Sequence, residues 1–490
     1  MSRRLPVLAL LLAAPLLAGD GIQAIPLRTT LRAESLRLPG DESMGLIGLS
    51  TTADFGGFYL GPGLYGAARG QRGGLFTFGL EGGYRARPFP RMELEAGLFI
   101  GGGGGAAAPQ GGGLMLRPHA GFAFVLGRAR LGADLSRVRF PNGGIDSTQA
   151  ALTFAFTTDS LWAPEGGTGD TFTGAVDWRG HEWEGSLQAV HPATAARTRS
   201  GGAQPAFDLA GFRLSSDLGG PLFRYLAVDG AARGSSAGYA QVVGGLGLRA
   251  RLLGPVGVEA RAGLGLGGGG DTDTGGGFLL TGDAALTARF GGWRASAGLG
   301  YLKAPGGTFA GKGLFLRLAH RIEAPKPEAD GGAIGTFDLS GWRFGSGLLV
   351  YRHAQRTAGG DGTIQAITLR ADRMLVDGFY LSGEAGSATG GGAGGYSTGL
   401  AGAGWQTPPF ARQRVFLEVA AGAGGGGGLD TKGGLLLSAR AGWRLDLPHG
   451  LGLEASAGKV RAPRGALDST TYSAGLSLRF NAPERVDAAD

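Results

Sequence analysis

The sequence predicts an all-β, antiparallel architecture built from three homologous repeats, and three observations carry it. Apolar residues alternate with small or polar ones over runs of about ten residues, the period of strands whose successive side chains point to opposite faces. Glycine supplies 101 of 490 residues, against about 7 % in average proteins. Each glycine costs about 1 kcal/mol in a helix, so long helices are disfavoured. One succession of elements also recurs three times at a spacing of about 160 residues, far longer than a solenoid unit.

The alternation is clearest in three stretches. Tyr472, Ala474, Leu476, Leu478 and Phe480 fall on one face of a strand, opposite Ser473, Gly475, Ser477 and Arg479. Val256 to Leu266 places Val256, Val258, Ala260, Ala262, Leu264 and Leu266 opposite Glu259, Arg261 and three glycines. Met92 to Ile100 sets Met92, Leu94, Ala96, Leu98 and Ile100 against Arg91, Glu93, Glu95, Gly97 and Phe99.

The repeats are read from matching strings. ELEAGLFIGGGGG at Glu93–Gly105 corresponds to VEARAGLGLGGGG at Val258–Gly270 and FLEVAAGAGGGGG at Phe416–Gly428. Their flanks match as well: GFYLGPGLYGAARG from Gly57, FRYLAVDGAARG from Phe223 and GFYLSGEAGSATG from Gly378 precede them. The expected divisions are a leader over 1–24, repeats over 25–160, 161–325 and 326–482, and a tail over 483–490. Thr157–Gly169 and Glu323–Glu328 mark the two boundaries.

Eight strands are expected in the third copy, beginning near Trp342, Thr363, Gly378, Gly395, Arg414, Gly433, Gly450 and Thr471. Short turns at Val376-Asp377, Gln406–Ala411 and Leu447–Gly450 alternate with longer glycine-rich loops. The other copies fit the same count, the first with a strand near Thr29 to Leu36.

Ten-residue alternating strands, an even strand count, and short turns opposite longer loops are the habits of transmembrane β-barrels of bacterial outer membranes. A backbone in lipid must satisfy its hydrogen bonds internally, which leaves helices or closed barrels. After the first 24 residues no run of 18 apolar residues occurs, so strands would do the spanning. The last strand, YSAGLSLRF, resembles the C-terminal assembly signal of outer-membrane β-barrel proteins through Tyr472, Leu476, Leu478 and Phe480. The chain departs from that pattern by continuing to Asp490. The tandem arrangement is similar to glycine-rich outer-membrane proteins. The resemblance implies an outer-membrane location, with lipid and the barrel-assembly machinery as partners. Passive passage of small solutes is the expected function if the barrel is continuous. A non-conducting structural or adhesive barrel displaying glycine-rich loops is the alternative.

About 24 strands close in one of two ways. The connections between copies are short enough to be turns, which points to one continuous wide barrel. Three closed eight-stranded barrels are the other solution, favoured by inward charges of both signs. Glu384, Glu418, Glu454, Arg440, Arg444 and Arg479 would pair in the third copy; Glu259, Asp283, Arg261 and Arg289 would pair in the second.

Composition excludes much else. There is no cysteine, hence no disulfide, thiol chemistry or thiolate metal site. Charged residues are 17 % and hydrophobic residues 43 %, the reverse of a disordered chain. The net charge of +7 comes from arginines scattered singly, without the clustered basic face of a nucleic-acid binder. Arg3 and Arg4, the apolar Leu5–Leu17 and small residues at Ala18, Gly19 and Ala24 form the three-part pattern of an export signal.

No catalytic, cofactor or metal site is expected, and the candidates for one are weak. Asp271 and Asp273 in GGGGDTDTGG resemble calcium-binding turns, but that motif acts in tandem arrays and two of the three copies lack the pair. The glycine runs carry no Lys-Ser/Thr and precede no helix, so they are not a phosphate loop. The six histidines form no paired ligand motif. His181 with Glu182 and Glu184 is the best acid–base candidate, and a strand-end surface histidine is its plain alternative. The tryptophans fall near strand ends, where interfacial girdles sit.

Overall fold

The computed structural model of the chain describes residues 22–164, 169–176, 178–325, 333–376 and 378–485. The expected leader falls on residues outside that set, apart from Ile22 to Ala24, and the first strand begins at Gln23. Also outside it lie the end of the second boundary marker beyond Pro325, Asp377 of one expected turn, and the tail beyond Arg485. Three closed antiparallel barrels form, each of eight strands in sequence order.

The first barrel comprises β1 (Gln23–Arg37), β2 (Ser43–Phe55), β3 (Phe58–Arg69), β4 (Phe76–Phe89), β5 (Met92–Gly104), β6 (Met115–Leu126), β7 (Ala129–Arg139) and β8 (Asp146–Trp162). A short strand, β9 (Thr171–Val176), follows. The second barrel comprises β10 (Trp178–Pro192), β11 (Phe207–Gly219), β12 (Leu222–Gly234), β13 (Ala240–Leu253), β14 (Val256–Gly268), β15 (Phe278–Phe290), β16 (Trp293–Lys303) and β17 (Ala310–Pro325). The third comprises β18 (Ala333–Gln355), β19 (Asp361–Met374), β20 (Phe379–Gly390), β21 (Ser397–Gln406), β22 (Gln413–Gly425), β23 (Leu435–Asp446), β24 (Leu451–Arg461) and β25 (Asp468–Arg485).

Strand pairing decides between the two closures, in favour of three eight-stranded barrels over one continuous barrel. Each copy pairs its first strand with its own eighth: Gln23 with Trp162, Trp178 with Pro325, and Phe337 with Arg485, each ladder running on up the strands. Closure within a copy leaves no free edge. It also gives each lumen a bore that eight strands' side chains can fill.

The boundary markers shift with it. Thr157–Trp162 belongs to β8 and Glu323–Pro325 to β17. The first connection is not a turn: β9 pairs with Ala333–Asp338 of β18. There it takes the place of β19, whose pairing with β18 starts at Trp342. Ala163 also pairs with Asn481, so the segment leaving the first barrel docks on the third. The final strand does not end at Phe480. It continues through Asn481–Arg485, paired with Phe337–Gly341.

Outward faces are apolar. Leu152 is 71 % exposed, and Leu299, Leu314, Leu316, Leu348 and Val419 lie open in the same way. Such a surface far exceeds the apolar patches of soluble monomers. The side chains of Trp162, Trp293, Trp405 and Trp443 all stand near strand ends on the short-turn side. This is the end where β1 begins and β25 stops; Trp162 is buried there and the other three are partly exposed.

Candidate functional site: sealed lumens and an apolar space between barrels

Each lumen is filled by a network of arginines, carboxylates and aromatics. In the first, Arg32 reaches Glu95 at 2.7 Å, Glu81 at 3.3 Å and Asp134 at 3.2 Å, while Arg117 meets Glu34 at 2.8 Å and Asp134 at 2.9 Å. In the second, Arg261 makes a bidentate bond to Glu184 (3.0 and 2.8 Å) and a third to Glu259 (2.6 Å). Arg294 bonds Glu182 at 2.5 Å, and Arg317 bonds Asp283 at 2.6 Å. In the third, Arg440 bridges Glu384 and Glu418 at 2.6 Å each, Arg444 bonds Glu454 at 2.7 Å, and Arg370 pairs with Glu418.

Buried charges demand such partners. Most of the residues expected to pair are therefore brought together; Arg479 pairs with Asp446 at 2.9 Å. Arg289 is the exception. It sits exposed at the strand end, and Arg317 is Asp283's partner instead.

The lumen aromatics repeat between copies. Tyr59, Phe223 and Tyr380 occupy equivalent inward positions on β3, β12 and β20. Arg85 stacks over Tyr59 at 3.6 Å and Arg249 over Phe223 at 3.8 Å. Glycine makes room for them: a Cβ on Gly247 would stand 2.2 Å from the Phe223 ring, and one on Gly404 2.3 Å from Tyr380. One small pocket in the first lumen has about 30 Å³, room for about one water.

The structure puts the candidate chemical residues in separate settings. Glu81, Glu95 and His119 gather within 4.8 Å of one another, but the Arg32 guanidinium sits among them and supplies the positive charge a metal would bring. Asp271 accepts hydrogen bonds from Ser200 Oγ at 2.5 Å and Ser200 N at 3.2 Å. Asp273 accepts from Thr308 N and Oγ1 at 3.0 and 2.8 Å. The two carboxylates tie separate loops and do not converge. His181 faces outward, bonded to Ser216 Oγ at 2.8 Å, whereas Glu182 and Glu184 belong to the lumen network. Strand alternation divides that trio between opposite faces. Of the residues in the assembly-signal pattern, Tyr472 is 53 % exposed. Leu478 and Phe480 are buried against Ile25, Phe55 and Trp162 of the first barrel, with Leu476 packed beside them.

The glycine runs have a role that sequence reading missed. β5 lies against β20, β22 against β12, and β14 against β3. The fifth strand of each copy thus meets the third strand of another, and the ring closes after three contacts. This is the head-to-tail interface of a cyclic trimer, made within one chain. At each seam two glycine backbones touch. A Cβ on Gly74 would lie 2.1 Å from Gly269 N, one on Gly238 2.8 Å from Gly426 N, and one on Gly395 3.0 Å from Gly105 N. Gly73 N donates to Gly275 O at 2.8 Å, and Gly395 N donates to Gly103 O at 3.0 Å. The one signal for this in the sequence is recurrence: these glycines occupy the same place in all three copies.

Between the barrels lies a cavity of about 2110 Å³ lined from all three. Leu64 and Phe78, Leu226 and Val228, and Leu381 and Leu400 contribute to its wall. Gly74, Gly238 and Gly395 lie at its glycine-seam end. At the other end Trp162 stacks on Phe480 at 4.2 Å and Trp183 stacks on Trp342 at 5.4 Å. The volume exceeds the roughly 300–1,000 Å³ of a single small-ligand pocket.

The fold defines an all-β protein of three closed barrels, their lumens occupied by ion-pair networks, around an apolar space. No family model matches the chain, and no curated protein matches it. Among solved structures it is similar to OccK11 (OpdR) of Pseudomonas aeruginosa, at 14 % identity over 94 % of this chain and 95 % of that one, TM-score 0.21. It is also similar to OccAB3 of Acinetobacter baumannii, at 11 % identity over 93 % and 99 %, TM-score 0.22. A mutant ferric enterobactin receptor of P. aeruginosa (PfeA), in complex with enterobactin, aligns at 11 % identity over 94 % and 82 %, TM-score 0.27. Superpositions at these scores do not overlay the architecture, and the three-barrel arrangement rests on the chain's own strand pairing.

Proposed function

We propose that the protein is an integral outer-membrane barrel protein, without enzymatic activity, that gives small apolar solutes passive passage through the space between its barrels. The observation that carries this reading is the pairing of charge-filled lumens with a large apolar cavity between the barrels. Water and ions have no route through lumens packed with ion pairs. The exposed leucine belts of all three barrels support residence in lipid, and the short-turn end with its tryptophans supports an interfacial girdle. A non-conducting structural barrel is the second reading, favoured by the same filled lumens.

Two measurements test the proposal. Refolded protein in a planar bilayer is expected to give no ohmic current steps; large reproducible steps would overturn the sealed-lumen part. Expression in a porin-deficient Gram-negative host is expected to speed uptake of an apolar fluorophore but not of a sugar. Gly399 lines the cavity, and a Cβ there meets no atom within 4 Å. Gly399→Trp should therefore slow the uptake. Uptake equal to that of the empty host would leave the structural reading.

A further inference from the structure

The outward face of the second barrel changes character just below the cavity. Trp183, Leu214 and Leu226 form one row across β10, β11 and β12, fixed by the pairing of Trp183 with Leu214 and of Leu214 with Leu226. Trp183 and Leu226 line the cavity. The next row towards the short-turn end is His181, Ser216 and Arg224, in register across the same strands. Arg179 follows two residues further along the same face of β10.

Among the described residues, Arg179 and Arg224 have no ion pair and no hydrogen bond to a carboxylate. The nearby Asp217 faces the lumen, held by Arg321 at 2.9 Å and Arg249 at 3.5 Å. Arg32, Arg117, Arg261, Arg294 and Arg440 inside the lumens are all paired, whereas these two outward arginines are not. An unpaired cation at a membrane-facing surface calls for an anion.

We propose that this face holds an anionic phospholipid, its phosphate on Arg179 and Arg224 and its acyl chains along Trp183, Leu226 and Val228 into the inter-barrel cavity. The inference rests on the membrane placement in the proposed function, but not on passage of solutes. Guanidinium groups suit phosphate because several N–H donors converge on its oxygens. The Ser216 hydroxyl and the outward histidine complete a polar row of headgroup width, since neighbouring strands stand about 4.8 Å apart. Above that row the wall is apolar, as acyl chains require. The short-turn end, which carries the partly exposed Trp293, Trp405 and Trp443, places the arginines at the depth of lipid headgroups.

The test uses the full chain, refolded in a mild detergent and exchanged into nanodiscs containing equal amounts of phosphatidylglycerol and phosphatidylcholine. Lipid retained after re-extraction is counted by native mass spectrometry. Phosphatidylglycerol is expected to be retained in preference. The double variant Arg179→Gln/Arg224→Gln should reduce that preference at least about tenfold, the factor for losing even one of the two charge-assisted bonds. Gly185 lines the cavity beside Trp183, and a Cβ there meets no atom within 4 Å. Gly185→Trp should therefore lower retention of both lipids. Heat-modifiable gel migration checks that each variant is folded. Equal retention of the two lipids by the parent protein, or a preference unchanged by the double substitution, overturns the proposal. Solute passage is read separately by uptake, so either idea can fail alone.

Discussion

Gly74 of the first barrel and Gly269 of the second stand so close that a Cβ on Gly74 would come within 2.1 Å of the Gly269 amide nitrogen. Gly74 also has φ of +96° and Gly269 of +89°, a region that other residues enter with strain. Two separate requirements, backbone dihedral and space, therefore select glycine at one seam position. The equivalent pairs Gly238–Gly426 and Gly395–Gly105 meet both requirements. The lumen charges differ between copies while these glycines recur, so the seam is the shared feature.

Gly74→Val is expected to loosen the first barrel from the second. The left-handed backbone alone costs about 1–3 kcal/mol for such a residue, and the clash adds to it. Differential scanning calorimetry in detergent should show a lowered Tm, whereas Gly399→Ala, placed where a Cβ meets nothing, should leave it unchanged. Equal Tm values for the two variants would contradict the seam.

A covalent link should form across the second and third barrels. A Cβ on Gly230 would lie 3.2 Å from the Ala423 Cβ, roughly half an ångström inside the usual disulfide spacing of about 3.8 Å. The chain has no cysteine, so Gly230→Cys/Ala423→Cys is a clean pair. Oxidation should give a disulfide with a shifted gel mobility that reductant reverses. Two free thiols after oxidation of the folded protein would rule out this packing.

Arg261→Gln should destabilise the second barrel by about 3–5 kcal/mol, the cost of leaving buried carboxylates without their cation. Glu184 and Glu259 would be the groups left, and both are buried. Adding Glu184→Gln should recover part of the loss, a coupling that a double-mutant cycle measures. Additive effects would show that the network does not act as a unit.

Phe480→Ala should lower the Tm of the purified protein, because its ring stacks on Trp162 at 4.2 Å between the third and first barrels. Deleting a buried phenylalanine side chain costs about 3–5 kcal/mol. Tyr472→Ala, at a 53 % exposed position, should leave the Tm nearly unchanged. If both variants reduce yield of folded protein in cells without changing Tm, the two residues act in recognition during assembly and not in the finished protein.

Much of the fold is legible in the sequence alone. Period-two alternation, as in Val256 to Leu266, is local, and so are the glycine-rich turns between strands. Together they set the strand type, the count of eight in each copy, and the apolar outer face. The inward Glu418 and Arg440 are legible for the same reason, since alternation fixes the face of a side chain. His181 and Glu182 fail as a pair on that same rule, which the sequence already contains.

Other features belong to the tertiary structure alone. The eighth strand of one copy carries the same alternation whether it pairs with its own first strand or with the next copy's. Its hydrogen bonds are equivalent in both, so no local signal separates three barrels from one. The choice depends on how a lumen fills and on how closed barrels then touch. The contact of Gly74 with Gly269, the docking of β9 on β18, and the row of His181, Ser216 and Arg224 beneath an apolar cavity all follow from that closure. They unite residues far apart in the chain, and strand periodicity does not encode such distances.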